Sequence, residues 1–158
     1  MHKSARLSDD GKYRYVLIRR EKDQDCDLVN FVLLNPSVAD ETIDDPTIKA
    51  LTQITKNLEF QGFCVTNLFA YRATKPADLK KEVSPVGEEN DKHLIEQAQR
   101  AKLVILAWGN HGEFLKRDKE VLLKLSKIKP LYCLKLTKKG NPWHPLYLKR
   151  DVKYFKYL

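Results

Sequence analysis

Residues 13–19 (Tyr-Arg-Tyr-Val-Leu-Ile-Arg) alternate apolar and charged side chains, the period-two pattern of a strand with one wet face, and the spacing predicts an edge strand. A polar turn is expected over residues 23–27. Residues 28–34 are an almost unbroken apolar run, read as a buried strand that Asn35-Pro36 stops because proline cannot donate to a ladder. After a polar loop over residues 35–45 the rhythm changes. Ile48, Leu51, Ile54 and Leu58 recur three and four residues apart, predicting a helix opened by Asp45 as N-cap and Pro46 at the first helical position. Gly62 closes it. A strand is expected over residues 63–69, followed by a long loop over 70–87 carrying Pro76, Pro85 and Gly87. A helix over 88–101 turns Leu94, Ile95 and Ala98 inward. Then come a strand over 102–108, a helix over about 113–126 and a strand over 131–136.

Strands and helices in alternation predict an α/β fold: a three-layer domain with a mainly parallel central sheet, helices on both faces and an antiparallel edge strand in front. No repeat or linker divides the chain, so residues 1–158 are read as one domain. Four apolar runs end in polar, loop-forming residues, at Asn35-Pro36-Ser37, over residues 66–72, at Trp108-Gly109-Asn110-His111-Gly112, and over residues 137–148. Open α/β sheets bind ligands outside the carboxyl ends of their strands, so these ends are expected to build one site.

Composition narrows the class. No apolar run approaches the roughly 18 residues that cross a bilayer, and the first residues, Met-His-Lys-Ser-Ala-Arg, do not lead into a signal-like apolar stretch, so a cytoplasmic protein with no membrane partner is expected. Three cysteines without CxxC spacing do not frame a disulfide scaffold, a four-thiolate zinc site or an iron–sulfur cluster. The net charge is +8, and it is uneven. From Glu113 onward thirteen Lys and Arg face four Asp and Glu, so residues 113–158 form a basic third while residues 1–112 sum to about −1. A basic surface of this kind suits polyanions.

Each strand end carries chemistry. Asn35, fixed by the following proline, offers a carboxamide that can orient water. Asn67 sits inside a strand, where asparagine is disfavoured, and its donor and acceptor match a nucleobase edge. Phe69 and Tyr71 offer stacking faces, and Arg72 a phosphate ligand. Gly109, after Trp108, permits close backbone approach. His144 lies between Pro142 and Pro145 in a pre-organised loop. No GxGxxG or GxxxxGK[ST] pattern occurs, and no helical or hairpin spacing links His111 and His144 with Asp40, Asp44 or Asp45. Neither a metal nor a cofactor is expected.

Taken in order, Leu34-Asn35-Pro36-Ser37, Thr66-Asn67-Leu68-Phe69-Ala70-Tyr71-Arg72 and His144-Pro145-Leu146 resemble the strand-end motifs of the uracil-DNA glycosylase superfamily. Leu33 stands where that pattern has glycine, and Leu146 where it has serine. Over residues 13–148 the chain also resembles a bacterial family, domain of unknown function 1643, through Asn35-Pro36-Ser37, Asp44-Asp45-Pro46-Thr47, Asn67-Leu68-Phe69-Ala70, Ala107-Trp108-Gly109 and His144-Pro145-Leu146-Tyr147-Leu148.

The glycosylase resemblance implies a uracil-DNA glycosylase-like fold acting on a nucleobase in nucleic acid, DNA foremost, or in a nucleotide, by hydrolysis of the N-glycosidic bond. It implies Asn35 and His144 as catalytic residues. Asn67, Phe69, Tyr71, Trp108 and Gly109 would bind the base, and Ser37, Arg72, Lys138, Lys139, Lys149 and Arg150 the nucleic-acid backbone. The alternatives are a non-catalytic binder of a nucleotide, modified base or nucleic-acid end, and a small-molecule nucleoside hydrolase.

Overall fold

The computed structural model describes residues 1–21 and 27–158, so the turn expected over 23–27, Asp27 apart, lies outside the described residues. Seven strands form one sheet: β1 (His2–Leu7), β2 (Arg14–Arg20), β3 (Leu28–Leu33), β4 (Gly62–Asn67), β5 (Leu103–Leu106), β6 (Leu131–Cys133) and β7 (Phe155–Lys156). Their spatial order is β1-β2-β4-β3-β5-β6-β7. The central four, β4-β3-β5-β6, are parallel, while β1, β2 and β7 pair antiparallel at the two sides.

The helices are α1 (Pro46–Asn57), α2 (Pro76–Lys81), α3 (Asn90–Arg100) and α4 (Arg117–Ser126). Strand alternation sorts them onto two faces. Val29, Phe31 and Leu33 of β3, with Phe63 and Val65 of β4, pack against Ile48, Leu51 and Ile54 of α1. Val32, Val104 and Leu106 look the other way, onto Leu79 of α2, Leu94 and Ala98 of α3, and Val121 and Leu125 of α4. The three expected layers are present. From β3 the chain moves to β4 on one side and later returns to place β5 on the other, so the order reverses between β3 and β5. A reversal of this kind is where open α/β sheets bind ligands, outside the carboxyl ends of the two strands.

Several boundaries differ from the sequence reading, each for a local reason. The strand expected at the edge, β2, lies second, because the short strand β1 covers it. Its charges are not solvated: Arg14 is 2% and Arg19 0% exposed. The loop expected over 70–87 contains α2, which Pro76 opens at its first turn. The helix expected from about 113 begins only at Arg117, after 3-10 turns over Asn110–Lys116, because Leu115 and Lys116 both adopt left-handed backbone (φ 55° and 56°). The last parallel strand stops at Cys133 rather than continuing to 136.

Gly62 marks the tightest point of the sheet. A β-carbon there would lie 2.6 Å from the Arg19 carbonyl oxygen and 2.7 Å from the Arg20 Cα, both backbone atoms with no freedom to yield. Gly62→Ala is therefore expected to destabilise the protein by roughly 1–3 kcal/mol. Urea unfolding of the two proteins measures it, and an unchanged midpoint would contradict the close approach of β2 and β4.

Candidate functional site at the strand ends

The carboxyl ends of β3, β4 and β5 are level with one another: Leu33 pairs with Asn67, Val32 pairs with Leu106, and the Ala107 amide donates to the Val32 carbonyl at 2.8 Å. Asn35 lies two residues past the end of β3. Its Nδ2 donates to the Ala73 carbonyl (2.7 Å) and the Pro36 carbonyl (3.0 Å), and the Ala73 amide donates back to Pro36 (2.9 Å). The carboxamide thus ties the loop after β3 to the loop after β4. Its Oδ1 accepts from none of the described residues and stays available.

Asn67 ends β4 with its side chain on the α1 face, following Phe63 and Val65. It is 0% exposed, and neither Nδ2 nor Oδ1 has a hydrogen-bond partner among the described residues. An unpaired buried amide costs about 1–3 kcal/mol, so one with both ends unpaired is rarely kept for structure alone.

His144 arrives from the far end of the chain. It precedes a 3-10 turn over Pro145–Tyr147, and its Nδ1 accepts from the Leu146 amide at 3.3 Å. With Nδ1 an acceptor, the neutral ring carries its proton on Nε2. Burial pushes the imidazole below its ordinary 6.5, while the Asp45 carboxylate pulls in the opposite direction. Gly109 holds this loop against the end of β5. Its amide donates to the Pro142 carbonyl at 2.7 Å, and a β-carbon on it would stand 3.9 Å from that of His144. Its backbone, φ 74° and ψ −171°, is open essentially to glycine alone. Asn35, Asn67, Gly109 and His144 therefore share one end of the sheet.

Other expected site residues lie elsewhere. Phe69 is fully buried on the opposite face, its ring 5.5 Å from that of Phe114. Trp108 is 2% exposed on that same face, with Gly112 so close to its ring that no β-carbon would fit. Tyr71 is half-buried, edge-on to Tyr13 at 5.8 Å. Arg72 spends its guanidinium on three carbonyls, those of Ser37 (3.0 Å), Gly11 (3.2 Å) and Val38 (3.2 Å). Ser37 bonds Thr74 through their hydroxyls, 3.1 Å apart. Arg150 likewise braces the His144 loop, donating to the carbonyls of Leu148 (2.6 Å) and Leu146 (3.4 Å). Lys138 and Lys149 are exposed, and Lys139 pairs with Glu113 at 2.9 Å. Among the described residues no three of His, Cys, Asp and Glu gather as a metal site.

Two residues of this region were not legible as site residues. Asp45 caps α1, its Oδ1 accepting from the Ile48 amide at 3.0 Å, and its charge acts on His144. Arg14 donates to the Ala39 carbonyl at 3.1 Å, but its buried Nε has no partner, and burial pushes its guanidinium down to about 10 against the pull of Asp45. An Asp-Pro helix start signals only capping. An arginine in an alternating strand reads as surface.

Asp45→Asn keeps the cap and removes the charge. The imidazolium of His144 then loses that favourable charge, so the His144 pKa is expected to fall further below 6.5. Histidine-ring NMR titration reads it directly. The linkage has a definite sign: as pH falls below 6.5 the unfolded chain takes up the proton first, so stability is lost from there down through the folded pKa. His93, also pushed down by burial, adds the same slope in both proteins. The variant should show the larger loss, and a His144 pKa that rises instead would refute the assignment.

The sequence model of one family, described as protein of unknown function (DUF1643), matches residues 14–146. No curated protein and no solved structure matches the chain. The match takes in β2 through the His144 loop, hence every strand end described above, and the chain belongs to the DUF1643 family.

Proposed function

We propose that this protein recognises a nucleobase, in nucleic acid or in a nucleotide, at the strand-end site and hydrolyses its N-glycosidic bond. The observation that carries the reading is Asn67, whose donor and acceptor are both buried without a partner. A base edge supplies the missing partners, an acceptor for Nδ2 and a donor for Oδ1. Because Asn67 is sealed from solvent, the residues over it move aside to admit the base, and a base in duplex must first leave the stack.

Glycosidic hydrolysis builds positive charge on the sugar and negative charge on the departing base. A neutral His144, protonated on Nε2, donates a hydrogen bond to that anion without itself needing to lose charge. Asn35 orients the attacking water through its free Oδ1. It is no base, so the water loses its proton late, once the sugar cation has formed, and that proton ends on the departing base anion, which leaves as the neutral base. The second reading, a binder without chemistry, draws support from the commitment of the Asn35 Nδ2 to Pro36 and Ala73.

Oligonucleotides carrying a panel of modified bases, with released base detected by mass spectrometry, separate the two. Hydrolysis predicts base release that falls about 100-fold in His144→Ala, and by a comparable factor in Asn35→Ala, with affinity nearly kept. Asn67→Leu is expected to abolish binding and yet raise the thermal midpoint, since it removes two unpaired polar atoms from the interior. A binder predicts weakened affinity in all three variants and no free base. Replacing Lys138, Lys139 and Lys149 by Gln, with the bracing Arg150 left alone, should flatten the salt dependence of nucleic-acid binding equally for all sequences. An unchanged salt slope would favour a small neutral ligand.

A further inference from the structure

Away from the strand ends, a cavity of about 780 Å³ opens between the turn that precedes β2 and the loop that precedes α3. It is a depression open to solvent on one side, with room for a small molecule. Tyr13 and Tyr15 form one wall, their rings nearly parallel (8°) with centroids 6.4 Å apart. The stack is held from behind, where Tyr15 lies on the His93 ring at 5.2 Å, and from the side, where the Tyr13 hydroxyl donates to the Ser84 carbonyl at 2.8 Å. Asp9, Asp10 and Glu88 stand around the mouth, and no lysine or arginine lines it. Glu82 and Glu89 extend the negative field, acting on the phenols of Tyr13 and Tyr15 respectively, behind burial as the larger influence on each. Lys12 acts on Asp10 but is not part of the lining.

We propose that this cavity binds an organic cation, an ammonium or guanidinium group on an alkyl stem, beside the half-buried Tyr13 ring and the carboxylates of Asp9, Asp10 and Glu88. Ring faces carry partial negative charge and attract cations, most strongly where the ring is fixed and partly desolvated. Carboxylates on the rim add long-range attraction. The same carboxylates repel phosphate, so in a protein of net charge +8 this is a surface a nucleic-acid backbone avoids. An amine or guanidine that is free in solution and one borne on a peptide side chain present the same chemistry. The proposal does not rest on the nucleobase reading, and neither test decides the other.

Choline and its uncharged isostere 3,3-dimethylbutan-1-ol differ in the charge of one atom. Titrating each into the full chain, with the tyrosine ring signals followed by NMR, tests the assignment. Choline is expected to shift the Tyr13 and Tyr15 signals and to bind roughly tenfold tighter than the isostere, with the difference shrinking at high salt. Glu88→Gln, at an exposed position, should weaken choline severalfold with folding intact, and Tyr13→Leu should remove it. Nα-acetyl-lysine methylamide distinguishes the sources: tighter binding than choline assigns the site to a protein side chain, weaker binding to a free small cation. Equal binding of choline and the isostere would overturn the proposal. So would silence of both tyrosines up to about 100 mM choline, or undiminished choline binding in Glu88→Gln and Tyr13→Leu.

Discussion

The site depends on how one loop is held. After β3 the chain leaves the sheet at Asn35 and runs to Asp45 without a strand or helix to satisfy its carbonyls. Three arginines do so instead. Arg72 takes the carbonyls of Ser37 and Val38, Arg14 that of Ala39, and Arg19 those of Asp40 (2.5 Å) and Ile43 (3.2 Å). Arg19 is anchored in turn by Asp44 at 2.8 Å, which Lys3 of β1 also reaches at 3.1 Å. A hydrogen bond from a charged donor contributes about 1.5–3 kcal/mol, and losing Arg14 leaves the buried Ala39 carbonyl without that donor as well. The clamp thereby fixes both ends of the loop, Asn35 at the crevice and Asp45 at the start of α1.

This arrangement explains why charged side chains occupy the buried face of an outer strand. Arg14 and Arg19 sit on β2 beside β4, and their guanidiniums reach across the sheet edge onto the loop rather than into solvent. The added strand β1 shields them from one side. It also supplies, through the Ser4 carbonyl, a further contact to Arg19 at 3.5 Å. Burying a charge is tolerated here because each guanidinium meets carbonyl oxygens, and because Asp44 and Asp45 lie close enough to offset the lost hydration.

What the sequence disclosed follows from which physical signals are local. The layers, the central parallel strands and the Asp45-Pro46 helix start were legible, because hydrophobic period and capping chemistry act over a few residues. The burial of Arg14 and Arg19 was not, since period two puts residues five apart on opposite faces, whereas a register shift between β1 and β2 lies between them and both reach the loop over residues 35–45. Nor was the 3-10 course of residues 110–116. It brings Gly112 against the Trp108 ring, a packing contact, and ends in two left-handed residues that no propensity favours. At the site, Asn35, Asn67 and His144 stood out because each breaks a local rule of composition. Phe69 and Trp108 drew attention as aromatics near strand ends, yet Trp108 alternates away from the α1 face, and Phe69, past the end of β4 and out of step with Phe63 and Val65, packs on the other side as well.

That turning away has a chemical corollary. With Phe69 and Trp108 in the far core, the α1 side of the strand ends carries amides, an imidazole and a carboxylate rather than stacking surfaces, so a ligand bound there as proposed would be read through hydrogen bonds. Such sites discriminate sharply, because a ligand lacking the right donor or acceptor leaves buried groups unpaired. The unpaired amide of Asn67 and the unpaired Nε of Arg14 are two such groups on neighbouring strands, and both weaken the fold as it stands. Marginal stability makes a few kcal/mol a large sacrifice. On the proposed reading, a ligand that completed their hydrogen bonds would turn that sacrifice into selectivity.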